Sequence, residues 1–185
     1  MRTKKRTALC VAQHLSRERT EAYHDARALA LELARGVPSA RFDPMAAGVV
    51  LQAGETLYRQ LPMWIRVQNE GRWADVSCAN VFVTDKRLLC RFSTGRLAPL
   101  WWNGVVGLSV DLVAEHIVLD FGDGQPVGLA GLSVGSVAVA AVASVYGLEA
   151  MLTHPALASL RKGVAGSPVL DTSCSRQGGL NSESR

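Results

Sequence analysis

Between Gly124 and Leu148 the chain runs for 25 residues without a charged side chain. No other feature constrains the fold as strongly, because a run of that length can cross a bilayer as one helix. Gly131 and Gly135 even have the GxxxG spacing of packed membrane helices. The internal pattern favours a different reading. Gly124, Gln125 and Pro126 form a turn signal, and Ser133 and Ser136 interrupt the apolar run. Val134, Ala138, Ala141, Val145, Leu148 and Leu152 recur at alternating four and three spacing, opposed by Ser133, Ser136, Ala140, Ser144 and Gly147. One apolar stripe opposed by small residues predicts a strand over 126–131, then a helix over 133–152 packed by one face on a soluble core. The alternative is a membrane-anchored protein spanning the bilayer with residues 126–148.

Upstream, from Glu55, the apolar period is two. Leu88, Cys90 and Phe92 alternate with Leu89 and Arg91. Val106, Leu108, Val110 and Leu112 share one face. Ile117, Leu119 and Phe121 alternate with His116, Val118 and Asp120. Such alternation marks half-buried antiparallel strands, expected near 55–67, 72–77, 79–84, 87–92, 104–112, 116–121 and 126–131. Asn69-Glu70-Gly71, Ser93-Thr94-Gly95 and Phe121-Gly122-Asp123-Gly124-Gln125 are turns, because Gly and Asp tolerate positive φ. Pro62 places an edge or a bend in the first strand.

The ends differ from this middle. Residues 1–36 carry a net charge of +4, residues 37–160 a net of −2, and residues 161–185 a net of +2. The basic pI therefore belongs to the termini, which argues against a central domain that reads nucleic acid or anionic lipid by global charge. Residues 1–10 are expected to be a disordered basic tail, and Ala8 to Ala12 is too short for a signal-peptide core. Residues 11–36 read as a helix, with Ala26, Leu29 and Leu33 on its sticky stripe, Gly36 as its stop and Pro38 beyond. The Gly/Ser-rich tail over 163–185 is expected to be disordered.

Reaction chemistry is hard to find. His14, His24, His116 and His154 form no HExxH motif or close pair, so no metal site is expected. Cys10, Cys78, Cys90 and Cys174 lack CxxC spacing, and Cys78 and Cys90 read as buried thiols within strands. There is no P-loop, GxSxG or Rossmann fingerprint. Asp120 and Asp123 flank a turn without further acid–base context. The chain reads as a non-enzyme with no cofactor and no evident small-molecule substrate. Trp64, Trp73, Trp101 and Trp102 are expected to pack in the core or at strand edges. If extended, Trp101 and Trp102 put their rings on opposite faces, leaving one of them exposed.

One ordered set of segments is more specific. Gly54-Glu55 opens the first strand. Val81-Phe82-Val83-Thr84-Asp85-Lys86-Arg87-Leu88-Leu89-Cys90 follows, then Leu97-Ala98-Pro99-Leu100-Trp101 and Val105-Val106-Gly107-Leu108. Over residues 48–155 this set resembles the bacterial PH-like and GRAM-like domains. The resemblance implies an α+β, mainly β fold: a PH-like seven-stranded antiparallel barrel or sandwich capped by a C-terminal helix, here with an additional N-terminal helix. It implies a cytoplasmic, non-catalytic binding or adaptor module. Lys86, Arg87, Arg91 and Arg96 are the candidate binding residues, read as a cationic rim for an acidic segment of a protein partner or a membrane headgroup. The alternative partner is a nucleic acid held by the basic N-terminus, an idea weakened by the lack of aromatics among those cations.

Overall fold

The computed structural model describes residues 2–38, 42–122 and 125–162. The charge-free run divides within it. Val127–Ala130 is a strand, β8, hydrogen-bonded on one edge to β1 (Leu57–Asn69) and on the other to β7 (His116–Asp120). Gly131, at φ 136°, turns the chain into a helix, α2, over Val134–Tyr146. Thirteen helical residues reach about 20 Å, short of a hydrocarbon core about 30 Å thick. Among the described residues no helix is long and apolar enough to cross a membrane, which overturns the spanning alternative for 126–148.

The single-stripe expectation for this helix also needs correction. Every residue from Val134 to Ala143 is buried. A helix enclosed all round must be apolar all round, and this one lies between the sheet and the first helix, α1 (Arg2–Arg35). Gly135 permits that closeness, since a Cβ there would stand 3.2 Å from the Ala26 Cβ of α1. The helix stops at Gly147, φ 89°, short of the predicted 152. Leu148 and Leu152, assigned to the buried stripe, are exposed near the short helix α3 (Ala150–Thr153).

The remaining strands are β2 (Arg72–Trp73), β3 (Ser77–Thr84), β4 (Arg87–Phe92), β5 (Leu97–Trp101) and β6 (Gly107–Asp111). They form one antiparallel sheet in the order β5-β4-β3-β1-β8-β7-β6, with β2 paired to the end of β1. The long β1 joins the two halves, pairing with β3 from Leu57 to Ile65 and with β8 from Trp64 to Val67. Pro62 falls before the β8 ladder begins, where its missing N–H costs no bond. Glu70 and Gly71, both at positive φ, make the tight turn into β2.

The fold is thus α+β and antiparallel as expected, but it has eight strands and no ladder between β5 and β6 among the described residues. The sheet is single and open where a closed barrel or a two-sheet sandwich was expected. The unpredicted strand is β5, whose Pro99 argues against a strand in sequence. The Phe92 N–H donates to the Arg96 carbonyl. This sets the phase of the hairpin, so Ala98 and Leu100 bond toward β4, opposite Cys90 and Leu88. Pro99 then turns its nitrogen to the free edge, where no donor is required. The expected strand over 72–77 shrinks to two residues, and the start of the expected 104–112 strand is a 3-10 turn at Trp102–Gly104.

Helix α1 starts at Arg2, so residues 2–10 of the expected disordered tail are helical. The segment holds no Gly or Pro to stop a helix that later residues have nucleated. It ends at Gly36, φ 67°, where the sequence places it. Two apolar cores result. The larger fills the space between the sheet and α2 and continues to α1 through Ala26 and Leu29. The smaller lies on the outer face of the sheet, where Phe82, Leu89 and Leu57 are covered by Val49 and its neighbours Ala47 and Leu51. A last helix, α4, spans Ala158–Lys162, and the tail over 163–185 lies outside the described residues.

Candidate functional site

The four predicted cations divide by strand geometry. Arg87, Leu89 and Arg91 alternate on the outer face of β4, while Leu88 and Cys90 face the main core. Arg87 and Arg91 therefore meet the segment that covers this outer face. Arg91 donates to the carbonyls of Ala47 and Gly48 and lies over the Phe82 ring at 5.1 Å. Arg87 donates from Nη2 to the Val50 carbonyl at 3.0 Å. Lys86 Nζ donates to the Ala53 carbonyl at 2.8 Å. Three of the four cations thus hold the 47–53 arm to the sheet. Arg96 stands apart, at the start of β5, with its guanidinium 4.7 Å from the Phe92 ring.

Around Arg87 the contacts form a closed set. Its Nε and Nη2 grip the two oxygens of Glu55 at 2.8 Å each, and the Glu55 side chain is 0% exposed. Thr84 places its hydroxyl 2.8 Å from Glu55 Oε1 and accepts from the N–H groups of Lys86 and Arg87, which shapes the β3–β4 turn. The Gln52 N–H donates to the second Glu55 oxygen at 2.7 Å. Burial pushes the Glu55 carboxyl up. The bonds from Arg87, Gln52 and Thr84 outweigh that and hold it below the ordinary range. On its other face the Arg87 guanidinium stacks on Trp101 at 4.5 Å.

Beside this set is a polar concavity of about 330 Å³, lined by Gln52, Asp85, Lys86, Trp101, Trp102, Asn103 and Ser144. Trp102 is buried and donates from Nε1 to the Thr84 carbonyl at 2.9 Å. Trp101 is half-buried against Arg87 and Trp102 sits in a 3-10 turn, so neither ring of the pair is exposed, contrary to expectation. Trp64 is exposed, and Trp73 packs under Arg66 at 4.6 Å. The side chains of the concavity offer an ammonium, two amides and a hydroxyl. Asp85, whose Oδ1 accepts from the Thr56 N–H, tempers the positive field.

Sequence reasoning named Lys86 and Arg87 but missed Glu55 as the buried counter-ion and the arm as the second layer. A signal existed: an acidic residue just before β1, and a Thr-Asp-Lys-Arg turn on the strand that pairs with it.

The other candidate groups stay separate. Among the described residues no group of His, Cys, Asp or Glu is arranged to hold a metal ion. Cys78 is exposed, contrary to its expected burial, because it lies near the start of β3 opposite exposed Trp64. Cys90 is buried, and burial pushes its thiol up to about 12. The Cys10 side chain, Cys174 and Asp123 lie outside the described residues. Asp120 is engaged by the Gly122 N–H.

No known family profile matches the chain, and no curated protein matches it. Among solved structures it is similar to the Vps36 N-terminal PH domain, with a TM-score of 0.39 and 16% identity over 56% of this chain and 86% of that one. It is also similar to the C-terminal domain of an unknown protein from Leishmania infantum, with a TM-score of 0.35 and 17% identity over 51% of this chain and 86% of the other.

Proposed function

We propose that the chain is a non-catalytic binding module of PH-like form, an adaptor that takes an acidic segment of a protein partner at the β3–β4 turn. The consecutive antiparallel strands, the helix following the last strand and the motif set over 48–155 support the form. One observation carries the site. Arg87 and Arg91 spend donors on the protein itself, whereas the Lys86 ammonium, with three donors, uses one on Ala53 and lines the polar concavity. Gln52 and Asn103 add amides that can pair with a partner backbone, and Trp101 gives it an apolar wall. A carboxylate on the partner completes the ammonium, a contact that weakens as salt rises.

The test is a pull-down from native lysate with the full chain and with Lys86→Glu. Loss of salt-sensitive capture by a variant of unchanged melting temperature supports the reading. Equal capture by both overturns it. Vesicles of phosphatidylcholine with phosphatidylglycerol are the second arm. If only vesicle binding depends on Lys86, the ligand is a membrane headgroup and the protein-partner reading fails.

A further inference from the structure

The open seam between the two halves of the sheet leaves a second cavity, distant in character from the Lys86 concavity. It measures about 420 Å³, within the range of about 300–1,000 Å³ that small-molecule sites occupy. Ile65, Cys90 and Val127 form its buried floor, and Phe92, Leu100 and Phe121 its partly exposed walls. Ala98 leaves space here because it faces inward from β5 with only a methyl group. Arg96 also lines the cavity. It is exposed, and among the described residues it makes no ion pair. We infer that this cleft binds a single-chain amphiphile, its hydrocarbon tail between the two halves of the sheet and its anionic head on Arg96.

The occupant follows from what the walls lack. A peptide added along β5 needs backbone donors at the free edge. The hairpin phase puts Leu97, Pro99 and Trp101 there, and Pro99 has none at the centre. A hydrocarbon needs no such partners and gains from each methylene buried. The one cation fixes the polarity: a carboxylate or phosphate head satisfies Arg96 in a charge-assisted hydrogen bond, which a neutral head of equal length cannot do.

Dodecanoate and dodecanol, both as monomers, are titrated into the full chain by calorimetry, with methyl NMR shifts read in parallel. The expected result is saturable dodecanoate binding that moves the methyls of Val67, Leu100 and Val127. Ala98→Phe, which fills the cleft, should remove it at an unchanged melting temperature. Arg96→Gln should weaken dodecanoate by about tenfold, the loss of one charge-assisted bond, and leave dodecanol unaltered. No saturable binding, or shifts confined to Leu31 and Leu152 on the helical layer, would overturn the site even without a folded Ala98→Phe variant. Equal dodecanoate affinity in Arg96→Gln would overturn the head-group assignment.

Discussion

The Arg59 guanidinium and the Glu32 carboxylate form a two-point ion pair, 2.8 Å at each contact, that fastens α1 to β1. Both residues are less than a tenth exposed. Arg59 also donates from Nε to Asp25 at 2.6 Å, and the second Asp25 oxygen accepts from Ser136 of α2 at 2.8 Å. Charge buried in this way is costly to orphan but replaceable as a unit. Arg59→Met should lose about 3–5 kcal/mol in urea denaturation, and Arg59→Met with Glu32→Leu should recover part of it, because Asp25 still loses its contact with Arg59. Equal losses in the two variants would refute the pairing.

Gly135 and Ala26 set the spacing of the two helices. Gly135→Leu should lose about 1–3 kcal/mol or more through overpacking. Gly135→Ala needs a shift of only a few tenths of an ångström from Ala26. Adding Ala26→Gly should then relieve whatever Gly135→Ala costs. Melting temperatures of the three variants decide this.

These contacts explain which parts of the fold were legible. Period-two alternation located every strand but β5, because the longer strands have one face on the main core. The helix over 133–152 was legible as a helix but not as an inner layer. Ser136 and Ala140 were assigned to its small-residue face because a single sequence does not reveal that α1 packs over that face, whereas Ser144 and Gly147 do stay exposed. Pro99 hid β5 because its missing donor is harmless only at an edge, and edges follow from pairing. At the candidate site Lys86 and Arg87 were legible as cations. Their division of labour was not, since it depends on Glu55, Gln52 and the 47–53 arm, which are distant in sequence and contribute mostly backbone atoms.

The Glu55 carboxyl makes this region acid-sensitive. Its folded pKa lies below the ordinary value near 4.5, so its stabilisation is present above that value. The contribution declines as pH falls from about 4.5 through the lower folded value. Wild-type stability should drop across that window. Glu55→Gln should be less stable at pH 7 and flatter across the same window. Parallel curves for the two proteins would show that Glu55 does not titrate as argued.

The buried Cys90 thiol is raised to about 12, so almost no thiolate exists near pH 8. Iodoacetamide at that pH should label the peptide containing exposed Cys78 and spare the one containing Cys90. Labelling of Cys90 should appear only in denaturant. Equal labelling of both in the folded protein would contradict the burial.

Neighbouring cations Lys86 and Arg87 should respond very unequally to charge reversal. Arg87→Glu sets a second carboxylate against a Glu55 side chain that is 0% exposed and removes the grip on Val50. It should cost about 3–5 kcal/mol, as expected when one partner of a buried pair is lost. Lys86→Glu gives up one bond to the Ala53 carbonyl and should stay within about 0.5 kcal/mol of wild type. A double reversal at 86 and 87 would therefore confuse unfolding with lost recognition, and Lys86→Glu alone separates them. Thermal melts of the two single variants test the distinction. If both melt alike, the Arg87–Glu55 pair does not fasten the arm, and the case for Lys86 as the cation left for a partner fails with it.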